Sequence, residues 1–202
     1  LVAFLGGCEQ KPETLKVGFN IPMTGDIPKV GESSKLAAEM LKADINGAGG
    51  LDVGGKKYML EFVYEDNEAK AESAVTTALK LIEKDNILAM IGPNSSKQAV
   101  PAGQVANDNN VVMVSPWSTN PHATYNRPWV FRAAFLDPFQ GPVAVNFAVD
   151  TFGAKAAAVL YDLSNDHSKG LAEIFKQVFE GKLGSGSVLA FESHGTKDQD
   201  FS

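Results

Sequence analysis

The sequence predicts an α/β protein made of two three-layer αβα lobes with mainly parallel sheets, the second lobe incomplete. Three observations lead there. Strand-like apolar segments alternate with segments of helical periodicity along nearly the whole chain. Such alternation implies right-handed crossovers between parallel strands, with helices on both faces of the sheet. The rhythm breaks once, in a turn-rich stretch, and then restarts for only two more strands.

Residues 15–23 (LKVGFNIPM) read as the first strand, closed by the turn-rich TGDIP. Residues 31–46 place Leu36, Met40 and Ala43, and also Ala37, Leu41 and Ile45, at the spacing of a helix face, and Gly47, Gly49 and Gly50 end that helix. Residues 58–65 (YMLEFVYE) form a second strand, 69–84 a second helix, 87–91 a third strand, 97–107 a third helix and 111–115 a fourth strand. Residues 116–126 (PWSTNPHATYN) are a long turn-rich connection, and 128–134 (PWVFRAA) an extended segment. Asp137-Pro138 restarts the alternation: a helix over 142–151, a strand over 156–161, a helix over 168–179 and a strand over 188–191.

This reading gives a first lobe over 15–120, an inter-lobe crossing over 121–136 and the start of a second lobe over 137–202. Two strands and two helices do not cover a sheet on both sides, so the second unit is expected to expose apolar surface.

Composition narrows the function. With 44% hydrophobic and 21% charged residues in 202, the chain is globular material. Beyond Cys8 no stretch is apolar over the ~20 residues a membrane-spanning helix needs. A net charge of -6 without a basic run discourages nucleic acid and anionic membrane surfaces. The single cysteine excludes an intramolecular disulfide framework and a cysteine-based zinc cluster. His122, His167 and His194 are too scattered to suggest a metal-ligand pair, so neither metal nor cofactor is expected.

The chain opens LVAFLGGCEQKPET: an apolar run, two glycines, the cysteine and a polar stretch. That order matches the end of a secretory signal. Leu5-Gly6-Gly7-Cys8 resembles the bacterial lipobox, in which the cysteine sulfur takes a diacylglyceryl group and the chain is cut just before it. Residues 1–7 are therefore read as a signal remnant, Cys8 as the lipidation site and 8–14 as a tether. The competing reading, a buried cysteine beside an edge strand, suits double glycine and CEQKPE poorly.

In an open parallel sheet, ligands bind beyond the carboxyl ends of the strands. Three loops there are polar: TGDIPKVG, GPNSSKQ and SPWSTNP. Asn94, Ser95 and Ser96 are good helix N-caps, and the amides that follow favour a carboxylate or other anion. Ser118 and Thr119 add hydroxyls and Trp117 an apolar wall. Taken singly, capping for Ser96, turn formation for Ser118 and Thr119 and packing for Trp117 are the commoner roles. Three such loops converging on one edge favour a small-molecule cleft.

Enzyme constellations are thin: GxSxG, GxGxxG and GxxxxGK[ST] are all missing. His167 follows Asp162 and Asp166, an arrangement open to a carboxylate-oriented base, to a residue exposed on the first turn of a helix capped by Asn165 or Asp166, or to a side chain facing the cleft from the second lobe. The last is preferred, and because an enzyme would need a nucleophile or cofactor that the sequence does not show, a binder and not an enzyme is expected. Asp66, at the carboxyl end of the second strand, reads as a cap or loop acid near the site.

The motifs LKVGFNIPMTGD, ADINGAGGL, YEDNEAK, IGPNSSKQAVPAG, VVMVSPWSTNP, FRAAFLDPFQGP and YDLSNDHSKGLA occur in this order over residues 16–202. Together they resemble the branched-chain amino acid binding proteins, the type I periplasmic receptors that feed ATP-binding cassette (ABC) importers. The resemblance implies that fold and an extracytoplasmic location. It also implies capture of an amino acid, branched-chain or related, by lobe closure and delivery to a membrane permease.

Residue by residue, the resemblance assigns Ser96 to the ligand carboxylate, and Ser118 and Thr119 to the carboxylate and ammonium. Trp117 stands where leucine and isoleucine binders carry a small residue whose carbonyl meets the ammonium. His167 stands where a tyrosine closes over the ligand. Val30, beside Lys29, replaces an aromatic flanking the side-chain pocket, and Ser95 is a further flanking candidate. An alternative is a sensing module of the same fold for an amide, urea or aromatic acid.

Overall fold

The computed structural model describes residues 13–200. Residues 1–7, Cys8 and the tether up to residue 12 lie outside them; Glu13 and Thr14 already belong to the first strand, β1 (Glu13–Ile21). β1 alternates faces, as a strand must. Phe19 and Ile21 pack with Ala38 of α1 (Pro28–Gly47), while Asn20 points the other way, its Nδ2 donating to Ala74 O at 2.8 Å.

β2 (Leu51–Val53) and β3 (Lys56–Asp66) form a hairpin through Gly54 and Gly55, both with positive φ. Sequence reading passed over β2, although two glycines between short extended segments suit a two-residue turn of this kind. β3 then pairs in parallel with β1, from Glu13 opposite Tyr58 to Ile21 opposite Asp66.

α2 (Ala71–Glu83), β4 (Ala89–Ile91), α3 (Ser96–Asp108) and β5 (Val112–Ser115) follow in alternation. α2 and α3 cover the face opposite α1. Leu81, Met90 and Met113 fill that side, with Ala99, Ala102 and Ala106 giving α3 a small-residue face against the strands.

The connection after β5 contains one short 3-10 turn, Pro121–Ala123, and then β6 (Val130–Arg132). β6 pairs in parallel with β5, so part of the stretch read as a crossing completes the first sheet, whose order is β2-β3-β1-β4-β5-β6. Apart from the β2–β3 hairpin, every described strand pairing is parallel.

The second unit contains α4 (Asp137–Asn146), a wide helical turn over Phe147–Thr151, β7 (Ala157–Asp162), α5 (Asp166–Leu183) and β8 (Val188–His194). α4 begins five residues before the expected position. Pro138 lies in its first turn, where a missing N–H costs nothing, so it starts the helix rather than delaying it. β7 and β8 pair in parallel over a core of Val145, Phe179 and Val188. As expected for so small a sheet, large apolar side chains stay exposed, with Leu160 at 57% and Leu189 at 75%. No helix among the described residues is long and apolar enough to cross a membrane.

Candidate functional site

The carboxyl ends of β4 and β5 deliver two loops to one place. Ser115, at the end of β5, is fully buried; its hydroxyl donates to Pro93 O at 2.6 Å and accepts from Ser118 N at 3.2 Å. Arg132 on the neighbouring β6 gathers the loop beyond. Its guanidinium donates to Ser118 O at 3.1 Å, Asn120 O at 2.8 Å, Pro121 O at 3.1 Å and the Thr124 hydroxyl. A planar fork of donors satisfies backbone carbonyls that the turn leaves without strand partners.

At the other loop, Ser95 precedes α3 in extended conformation, and its hydroxyl donates to Gln98 Oε1. Ser96 does not cap the helix with its side chain. Its Oγ lies 2.9 Å from Ser118 Oγ and accepts from Asn120 N at 3.3 Å, tying the two loops together.

The second unit meets these loops at the N-termini of α4 and α5. Asn165 caps α5, its side-chain oxygen accepting from His167 N at 3.1 Å and Ser168 N at 3.4 Å. That cap fixes the first turn, and His167 leaves it toward the first unit. His167 Nδ1 stands 2.9 Å from Thr119 Oγ1 and 3.0 Å from Asp137 Oδ1.

Asp137 is fully buried and its Oδ1 also accepts from Gln140 Nε2 at 3.1 Å. The hydrogen bond to Asp137 and that residue's charge outweigh the cost of burying the ring, and hold the His167 pKa above its ordinary value. The carboxylate that orients His167 is thus Asp137. Asp162, one of the two acids near His167 in sequence, instead accepts from Ser164 and Thr196.

A cavity of about 330 Å³ lies between the two units. Ser95, Ser96, Trp117 and Thr119 line it from one side, Phe135, Gln140, Asn165 and His167 from the other, with Ile27 and Ala134 at the margin. This volume suits a small organic ligand. Among the described residues, no acidic side chain lines it.

Of the residues singled out in the sequence, Ser95, Ser96, Trp117, Thr119 and His167 therefore share one cleft. Ser118 sits behind Ser96, 1% exposed, and does not line the wall. Val30 lies in an adjoining hollow with Lys29, Ser33, Ser34 and Asn94, where Trp117 forms the shared wall.

Asp66 is a loop organiser outside the cleft. It accepts from Met23 N at 2.9 Å, Thr24 N at 3.1 Å, Glu68 N at 2.8 Å and Thr24 Oγ1 at 2.6 Å. Burial pushes its carboxyl up, but these bonds prevail and leave it below the usual carboxylate range. No group of three or more His, Cys, Asp and Glu that could hold a metal ion occurs among the described residues.

Sequence reading missed Asp137, Gln140, Phe135 and Arg132. Asp137-Pro138 reads in sequence only as the point where the alternation restarts, and a bond between residues 30 positions apart leaves no local signal.

Residues 14–202 match the periplasmic binding protein family, and the chain belongs to it. Curated relatives it matches include amino acid and leucine/isoleucine/valine-binding proteins. The leucine-, isoleucine-, valine-, threonine- and alanine-binding protein of Pseudomonas aeruginosa is 32% identical over 192 residues, covering 94% of this chain and 49% of that protein. A solved leucine-binding protein, LivK of Thermotoga maritima, superposes with a TM-score of 0.81 at 31% identity, covering 93% of this chain and 51% of that one. The branched-chain amino acid transporter substrate-binding protein LivJ of Streptococcus pneumoniae, solved with isoleucine, gives 0.80 at 28% identity, covering 94% and 52%. The chain spans about half the length of the curated relatives it matches.

Proposed function

We propose that this chain forms the ligand-capturing part of an extracytoplasmic receptor that closes over an amino acid, branched-chain or related, and delivers it to an ABC importer. The observation that carries the reading is the cleft between the units, where the hydroxyls of Ser96 and Thr119 and the α3 N-terminus face His167, Gln140 and Asn165 across apolar flanks of Trp117 and Phe135. Ser96 and Thr119 take the ligand carboxylate, assisted by the partial positive charge of α3. Ser118 supports Ser96 from behind, Trp117 packs on the ligand body, and Ser95 and Val30 flank it. His167 closes from the second unit.

The test is calorimetric titration of the full-length receptor with a panel of amino acids. Micromolar or tighter binding of at least one is expected; no heat with any of them overturns the amino acid reading. Ser96→Ala removes a hydroxyl and its bonds to Ser118 and Asn120, and should weaken binding roughly tenfold. Unchanged affinity takes Ser96 out of the site.

One feature favours a second ligand class. Trp117 and Phe135 both line the cavity, and two aromatic side chains beside hydroxyl donors also suit an aromatic acid. Benzoate in the same titration distinguishes the two.

The lipid on Cys8 belongs to the same reading. Two acyl chains on one cysteine give stable anchoring, which keeps a receptor beside its permease. The mass of the mature N-terminal peptide should show a diacylglyceryl cysteine at position 8; a free thiol there removes the anchor from the proposal.

A further inference from the structure

We propose that Asp137 is a positioning residue for ligand recognition: its buried carboxylate orients and charges His167, so that the ring's Nε2–H meets an anionic group of the ligand. This rests on the receptor reading above and goes beyond it by naming the residue that sets the polarity of the second unit's side of the cleft.

Asp137 is fully buried at the start of α4, and its Oδ2 has no hydrogen-bond partner among the described residues. A buried carboxylate so incompletely satisfied needs an opposite charge close by. His167 supplies one at 3.0 Å and is half-buried, with 41% of its side chain exposed.

The other titratable groups around the ring are few. Arg132 on β6 bears on Asp137, Asp166 adjoins His167 on α5, and Tyr161 of β7 lines a second hollow on which His167 also borders. Neither Thr119, on the facing loop, nor the rest of the cavity wall contributes an acid.

A carboxylate only accepts hydrogen bonds, so the proton on Nδ1 is donated toward Asp137 and shared with Thr119 Oγ1. Two consequences follow. Thr119 acts as acceptor at Nδ1, which leaves its own hydroxyl proton for the ligand. Nε2, which makes no hydrogen bond among the described residues, becomes a donor once the ring is charged. Donors from both units then converge on the ligand's anionic end.

The sign of the pH dependence follows. Ligand binding that uses the imidazolium is strongest below the His167 transition and weakens as pH rises through it, by up to about tenfold per pH unit. The folded-state pKa is raised, so this window opens above the ordinary histidine value of about 6.5.

The experiment uses the full-length receptor with L-leucine and benzoate as probes. Calorimetry from pH 5.5 to 9 is paired with NMR titration of the His167 ring without ligand. In the wild type, affinity for the probe that binds should fall with pH as the ring deprotonates. Asp137→Asn keeps a hydrogen-bonding isostere without the charge and should move both the ring transition and the affinity profile to lower pH. His167→Gln should flatten the profile. Circular dichroism verifies the fold of each variant.

A flat wild-type profile, or an Asp137→Asn variant whose ring transition stays in place, overturns the proposal. If neither probe binds at any pH, the ligand half of the proposal falls, whereas the receptor reading is decided by the amino acid panel. The NMR titration then still decides whether Asp137 charges His167.

Discussion

Arg132 shows how much of the cleft depends on a residue that does not line it. Its four hydrogen bonds all run into residues 118–124, the loop that presents Thr119. Lysine retains the charge but cannot reproduce a planar fork, so Arg132→Lys leaves several carbonyls short of donors. The expected loss is roughly 1–3 kcal/mol, read as a lower midpoint at constant slope in chemical denaturation. Ligand affinity should fall with it, because Thr119 loses its backbone support. An unchanged midpoint would mean that the loop is held by its neighbours alone. Ser96 illustrates the converse case. Its sequence position allows a cap or a ligand contact; the structure shows no capping bond from its side chain, and its hydroxyl ties two loops together while the residue lines the cleft.

At the level of elements, what was legible follows the physics of each signal. Strands and helices whose burial is set by local periodicity appeared within a few residues of their places: β1 and β3 by β-branched and aromatic runs, α2 by its apolar face, α5 by Asn165 ahead of an amphipathic stretch. The three polar loops at the strand ends were visible because glycine, proline, serine and asparagine cluster there for conformational reasons. Missed features were those defined by partners far along the chain. β6, legible as an extended segment, is only three residues long, and its place in the first sheet is set by its pairing with β5. Asp137 looked like an ordinary acid ahead of a proline, and only the return of α5 to the same place makes it a partner for His167. Ser118 was readable as a polar loop residue, but its position behind Ser96 depends on how Ser115 and Arg132 fold the loop.

For the whole molecule, the junction between the two sheet units is, among the described residues, bridged by hydrogen bonds. The three apolar cores each stay within one unit: two flank the first sheet, and the third lies under β7 and β8. The units meet instead through hydrogen bonds. Asp137 N donates to Thr119 O at 2.9 Å, Asn120 Nδ2 donates to Asp166 O at 2.8 Å, and Thr119 Oγ1 joins His167 Nδ1. Such bonds exchange readily for water, so opening the cleft exposes no shared core and costs little. On the receptor reading, the state with the units together is selected by a ligand that touches both, and only contacts made in that state drive the shift. Saturating leucine, or benzoate if that is the probe that binds, should therefore lower the radius of gyration of the full-length receptor in small-angle scattering. Thermal unfolding should also rise by several degrees at a hundredfold excess over Kd, where linkage contributes about 2.7 kcal/mol. Binding stabilises the folded state whether or not the units move, so the scattering decides the point: an unchanged radius in calorimetrically saturated protein would show that the cleft is already closed without ligand.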